Sequence, residues 1–174
     1  MIRIEAKNAI FREVQQPRQP LLWLIVLSIA AFTWYGFIRQ VILGLPFGNK
    51  PSSNAVLIII WTIFGIAFPI IMLKWTKLIL EVHEDGLYIR FTPFHFHYKK
   101  FLYKDMESYK SINYSPFKRF GGWGFRVNFK GEMGYIMSGK QGIELTLIYQ
   151  TVVISTYKPD EIIKEMDTFQ KSIL

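Results

Sequence analysis

Two long apolar runs open the chain, a series of short alternating segments follows, and a single amphipathic repeat closes it. Leu21 to Ile38 reads LLWLIVLSIAAFTWYGFI and Ala55 to Leu73 reads AVLIIIWTIFGIAFPIIML, neither with a charged residue. A helix over 21–38 rises about 27 Å and nearly matches a hydrocarbon core of about 30 Å, so helices over 21–38 and 55–73 are predicted to span a bilayer. Arg18, Arg39, Lys74 and Lys77 mark the edges of the runs, with Trp23, Trp34, Tyr35 and Trp75 near the expected interfaces. Gly44, Pro46, Gly48 and Pro51 interrupt the segment between them and turn the chain back, giving a helical hairpin.

Beyond Leu78 the period shortens to two. Leu87, Ile89 and Phe91 alternate with Tyr88 and Arg90; Phe94, Phe96 and Tyr98 with His95, His97 and Lys99; Phe125, Val127 and Phe129 with Arg126, Asn128 and Lys130; and Ile143, Leu145 and Leu147 with Glu144 and Thr146. Val152–Thr156 adds a strand, and weaker ones fall near Met106–Tyr114 and Tyr135–Met137. About seven strands with short turns predict an antiparallel meander closing towards a barrel. Pro159 then suits a first helical position, Asp160 and Glu161 complement the helix dipole, and Ile162, Ile163, Met166, Phe169 and Ile173 recur at helical spacing. The predicted organisation is an N-terminal tail over 1–20, the hairpin over 21–73 and one α+β domain over 78–174.

Strands followed by one closing helix resemble the pleckstrin-homology (PH) superfold. More narrowly, EDGLYIRF, FKRFGGWGFR, MSGKQGIELTL and VVISTYKPDEI resemble small bacterial membrane proteins that join a two-span hairpin to a PH-like domain. The resemblance covers nearly the whole chain and implies fold and topology; it carries over no catalytic or binding residue.

Charge sharpens the picture. The chain carries a net +8 and no cysteine, which excludes disulfides, thiolate metal sites and cysteine nucleophiles. Between Gly86 and Lys140 there are ten basic residues and only three acidic ones, a surplus suited to an anionic leaflet next to the second span. Counting Arg3, Lys7, Arg12 and Arg18 before the first span against Arg39 and Lys50 in the connecting loop predicts that both termini are cytoplasmic, and the resemblance implies a multi-pass protein of the bacterial cell membrane. The lipid-facing candidates are Lys74, Lys77, Lys118, Arg119, Trp123 and Arg126.

Catalytic chemistry finds few parts. Gly134 to Lys140 fits the opening of a P-loop, but Gln141 stands where the hydroxyl belongs and a strand follows in place of a helix, so a hairpin turn is expected. His95 and His97 share a predicted strand face, an arrangement more often polar surface than metal site. Glu84-Asp85 reads as a turn, and no nucleophile elbow occurs. The sequence therefore predicts a non-enzymatic, cofactor-free, membrane-anchored protein whose partner is anionic phospholipid and not nucleic acid. The alternative is an assembly subunit that binds another membrane protein or a second copy, with Ala30, Ala31, Gly36 and Gly65 allowing close helix contact.

Overall fold

The computed structural model describes residues 9–173, with side chains through 170 at the C-terminal end. Arg3 and Lys7, counted above for orientation, and the side chains of Lys171 and Ile173 lie outside the described residues. The chain is mixed α+β and divides into two compact units: Pro17–Thr76 is one, and the segment before Pro17 joins Lys77 onward as the other.

The helical unit consists of α1 (Pro20–Ile42) and α2 (Asn54–Trp75), 23 and 22 residues and both long and apolar enough to cross a membrane. Each outruns its predicted end, α1 by four residues past Ile38 and α2 by two past Leu73. The overrun takes in Arg39, which donates from Nη1 to the Tyr35 hydroxyl at 2.9 Å, and Lys74. Wide, π-type turns occur at Ile38–Ile42, Trp61–Ala67 and Ile71–Trp75, and the helix accommodates Pro69 between the last two. A Cβ on Gly65 would lie 3.0 Å from Thr33 Oγ1 and 2.9 Å from the Trp61 ring. The Trp34 indole donates to the Gly65 carbonyl at 3.2 Å, and Phe37 stacks on Trp61 at 4.1 Å. Gly65 thus serves contact within the hairpin, and so does Gly36, against which Phe47 packs. Gln40 closes the connecting loop by donating to Ser52 O and Asn54 Oδ1 and accepting from Phe47 N. Leu24, Leu27, Phe32 and Ile59 stay exposed.

The β unit begins before the hairpin. Residues 11–15, expected to be tail, form β1 (Phe11–Gln15), which pairs antiparallel with β2 (Lys77–His83) so that Gln15 lies opposite Leu78. The hairpin is therefore inserted into the connection between two neighbouring strands. β3 (Gly86–Thr92) and β4 (Lys99–Leu102) complete a four-stranded sheet in the order β1-β2-β3-β4. The expected Glu84-Asp85 turn joins β2 to β3. There a Cβ on Gly86 would come within 2.1 Å of the Phe101 carbonyl oxygen, so glycine is required for backbone approach.

A short 3₁₀ turn at Tyr103–Asp105 leads into the second sheet. It contains β5 (Met106–Asn113), β6 (Gly124–Val127), β7 (Met133–Ile136), β8 (Gln141–Leu147) and β9 (Thr151–Ser155) in the order β5-β8-β9-β7-β6. The meander expectation fails here, because β9 inserts between β8 and β7 and runs parallel to β7. The 137–140 turn consequently carries the chain past β9 and does not close the expected hairpin. Both open sheets share one core containing Leu78, Leu80, Val82, Leu87, Ile89, Tyr135, Ile143, Leu145 and Ile154, into which the closing helix α4 (Pro159–Ile173) sets Ile162 and Met166.

Two predicted strands are corrected. Residues 93–98 form a turn, with Phe94 and Phe96 exposed and His95 directed inward against Phe125 and Tyr135. His95 and His97 therefore share no strand face. β6 stops at Val127, where Asn128 turns the chain by accepting from Lys130 N and Glu132 N, and Phe129 is left fully exposed.

Side chains lock β1 to the second sheet. Gln15 donates to Ser155 O at 2.6 Å and accepts from Ser155 Oγ at 3.0 Å, while that hydroxyl also accepts from Met137 N at 2.8 Å. Buried Glu13 accepts from Thr156 Oγ1 at 2.5 Å and Tyr157 N at 3.0 Å. On the opposite face of the first sheet, Glu81 is 1% exposed and meets Arg12 at 3.2 Å, His83 at 3.2 Å and the Tyr98 hydroxyl at 2.8 Å. A buried carboxylate needs such partners, and two of the three come from outside β2.

Candidate functional site

The ladders fix which loops gather where. The β unit has a tethered end, at which β1 leaves through Gln15 and β2 enters through Lys77, and an opposite far end. Thr92 pairs with Lys77, so the turn after β3 lies at the tethered end. Gln15 holds Ser155, Ser155 pairs with Gly142, Gln141 pairs with Asn113, and Tyr114 N donates to Lys140 O, which places the Ser138–Lys140 turn and the segment after β5 there too. The far end carries the Glu84-Asp85 turn, Asp105 and the Ile148–Gln150 turn, joined through Tyr103 N to Asp85 O and Ile148 N to Asp105 O. Exposed Lys118 and Lys140 and half-buried Lys77 belong to the tethered side, whereas exposed Glu84, Asp85 and Asp105 belong to the far one. Asp160 and Glu161 also follow β9 near the tethered end, where Glu161 is paired with Lys158 at 2.8 Å.

The basic, aromatic stretch SPFKRFGGWGFR, expected as a loop tip, opens with a short helix, α3 (Pro116–Phe120). Ser115 caps it, Pro116 occupies the first turn without sacrificing a needed donor, and Gly121 ends it at φ 73°. Gly121 N and Gly122 N donate to Phe117 O and Pro116 O, the left-handed cap that only glycine forms without strain. Pro116 and Phe120 are buried, and a Cβ on Gly134 would fall 2.9 Å from Phe120, so α3 lies flush on the second sheet.

This placement separates the predicted site residues. Arg119 turns inward, donating from Nε to Glu132 at 2.8 Å and from Nη2 to Glu144 at 2.5 Å, and Lys110 adds a second cation to Glu144 at 2.9 Å. Arg119 is therefore a structural ion-pair partner and not a free lipid-facing charge. The bond from Arg119 holds the Glu132 carboxyl below its ordinary range, aided by Asn128. For Glu144 burial pushes the other way, but the bonds from Lys110 and Arg119 prevail and its pKa is lowered. Lys118, one residue earlier, points to solvent. Trp123 is half-buried, edge-on to Phe117 at 4.7 Å, and its carbonyl accepts from Arg126 Nε at 3.0 Å, which leaves Arg126 exposed on the edge strand β6. Lys77 opens β2, and Lys74 sits in the last turn of α2.

Beside α3 runs an open groove of about 620 Å³, lined by Asn113, Tyr114, Ser115, Lys118, Arg119, Asn128, Phe129, Lys130 and Glu132. Its cations Lys118 and Lys130 are exposed, and Lys130 adds to the pull of Arg119 on Glu132. Among the described residues the buried Tyr114 hydroxyl has no hydrogen-bond partner, and burial raises its pKa. Sequence reasoning missed Lys130 and Tyr114 as groove members because β5 and the β6–β7 turn meet only through α3. It also missed β1, whose inward positions carry Glu13 and Gln15.

These features define a class: a hairpin of two span-length apolar helices inserted between the first two strands of an open-sheeted α+β unit with a basic groove. A model for a Family of unknown function (DUF6141) matches residues 1–168, and the chain belongs to that family. No curated protein and no solved structure matches the chain.

Proposed function

We propose that this chain is a non-enzymatic, bilayer-anchored protein in which α1 and α2 cross the cell membrane as a two-pass hairpin, and a PH-like β unit rests on the cytoplasmic leaflet and engages anionic headgroups. The observation that carries the proposal is the pairing of β1 with β2. Neighbouring strands of one sheet lie on one side of a membrane, so the start of α1 and the end of α2 share that side and the Leu43–Ser53 loop takes the other. Only Gln16–Gln19 and Thr76 separate the strands from the helices. Tethers that short hold the unit near the bilayer surface, and Lys77, Lys118 and Lys140 belong to its tethered end. Each cation near an anionic surface contributes about 1 kcal/mol, enough to orient the unit.

In nanodiscs of full-length protein, amine-reactive footprinting is expected to show Lys118 and Lys140 several-fold less reactive with phosphatidylglycerol present than in phosphatidylcholine alone. Reactivity should return in about 1 M salt, where the Debye length shrinks to about 3 Å. Equal reactivity in both lipids removes the headgroup reading. A second reading, an assembly subunit, is favoured by the far-end turn, where Ile148 and Tyr149 are 54% and 94% exposed. Gly36 and Gly65 lend it no support, being occupied within the hairpin.

A further inference from the structure

We propose that the turn after β3, Pro93–Phe96, is a third membrane attachment: an aromatic anchor that seats Phe94 and Phe96 in the bilayer interface. Phe94 and Phe96 are 63% and 73% exposed and stand one residue apart at the tip of a short turn. The turn is rooted from within. His95 N donates to Phe91 O at 2.7 Å, the His95 ring meets Phe125 edge-on at 5.2 Å and Tyr135 at 5.7 Å, and the Phe94 ring stacks on Phe91 at 5.5 Å. Phe91 and Tyr135 belong to the core, so the outward aim of Phe96 is held by packed side chains below it. An alternating FHFH sequence would normally bury its phenylalanines; here the histidine takes the inside and the phenylalanines face out.

The register supplies the occupant. Thr92 is the ladder partner of Lys77 and accepts no slack, its hydroxyl donating to Lys77 O at 3.3 Å. Lys77 follows the last residue of α2 by two positions, a reach of about 7 Å, and Phe94 follows Thr92 by two. The aromatic tip therefore emerges at the end of the sheet from which the spans depart, with exposed His97 next to it. Exposed aromatic rings next to the ends of spans suit a membrane interface, where ring burial in the headgroup and acyl boundary is favourable. Tyr149, also aromatic and more exposed, lies at the far end and serves as the internal contrast.

This inference rests on the reading of α1 and α2 as membrane spans, and the test separates the two. Because the protein lacks cysteine, single Phe96→Cys, Tyr149→Cys and Ile59→Cys variants of the full chain accept one fluorophore each without background. In phosphatidylcholine nanodiscs containing doxyl-labelled lipid, the fluorophore at 59 and the one at 96 are expected to be quenched several-fold more than that at 149, with and without phosphatidylglycerol. Quenching at 59 but not at 96 overturns the anchor and leaves the spans standing. Absence of quenching at 59 overturns the membrane reading itself. Shielding of position 96 from an aqueous quencher without quenching by lipid labels assigns the turn to a protein partner and also overturns the anchor.

Discussion

Replacing Glu13 and Gln15 together by alanine is expected to destabilise the β unit by about 3–6 kcal/mol, although both residues precede the first apolar helix. Gln15→Ala leaves Ser155 O and the Ser155 hydroxyl without their partner in a buried setting. Glu13→Ala strips the acceptor from Thr156 Oγ1 and Tyr157 N. Each buried polar group left unsatisfied costs about 1–3 kcal/mol, and a domain of this size has about 5–15 kcal/mol in total. At about 4–8 °C per kcal/mol, the thermal transition in near-ultraviolet circular dichroism should fall by more than roughly 10 °C. Deleting residues 1–16 goes further, because it also unpairs the edge of β2 and removes Arg12 from buried Glu81. An unchanged transition in the double variant would show that β1 is dispensable.

Arg119→Met and Lys118→Ala should behave in opposite ways despite their adjacency. Arg119 is a quarter exposed and joins two carboxylates from different elements. Its loss leaves Glu144 with Lys110, and Glu132 with Asn128 and the Lys130 charge, at a cost of about 2–4 kcal/mol. The pH dependence follows from the lowered pKa values of both acids. A carboxyl whose folded pKa is depressed stabilises the fold above its ordinary pKa and loses that contribution as pH falls through the depressed one. The difference between wild type and Arg119→Met should therefore be full at neutral pH and shrink below the ordinary carboxylate value of 4.5. Lys118→Ala should alter stability by less than about 0.5 kcal/mol, as a solvent-facing substitution does, while weakening the response to anionic lipid. Denaturant melts of both variants between neutral and acid pH separate the two roles; equal melts for Arg119→Met and wild type at neutral pH would contradict the ion-pair assignment.

Much of the architecture was legible because it is local. Span length and the absence of charge announce α1 and α2, period two announces β3 and β8, and Pro159 with the Ile162–Met166 spacing announces α4. What escaped depends on distant partners. In β1 the polarity is inverted: Glu13 and Gln15 face inward to Ser155, Thr156 and Tyr157 while Val14 is exposed, so period two reads inside out. The same inversion misled the reading of Phe94–Tyr98, where aromatic packing pulls His95 inward. Counting charges treated Arg119 as free because its acids lie 13 and 25 residues away. The insertion of β9 beside β7 likewise has no local signature, since all the strands involved are short and apolar.

If α1 and α2 span a bilayer, the pairing of β1 with β2 puts the β unit on one side and the connecting loop on the other, and side-selective labelling distinguishes the two. Single cysteines placed at exposed Asn49 and exposed Ser111 in the cysteine-free chain can be labelled with a membrane-impermeant maleimide in intact cells and in inverted membrane vesicles. The account predicts labelling of Asn49→Cys only in cells and of Ser111→Cys only in inverted vesicles. Labelling of both positions from the same side would contradict it.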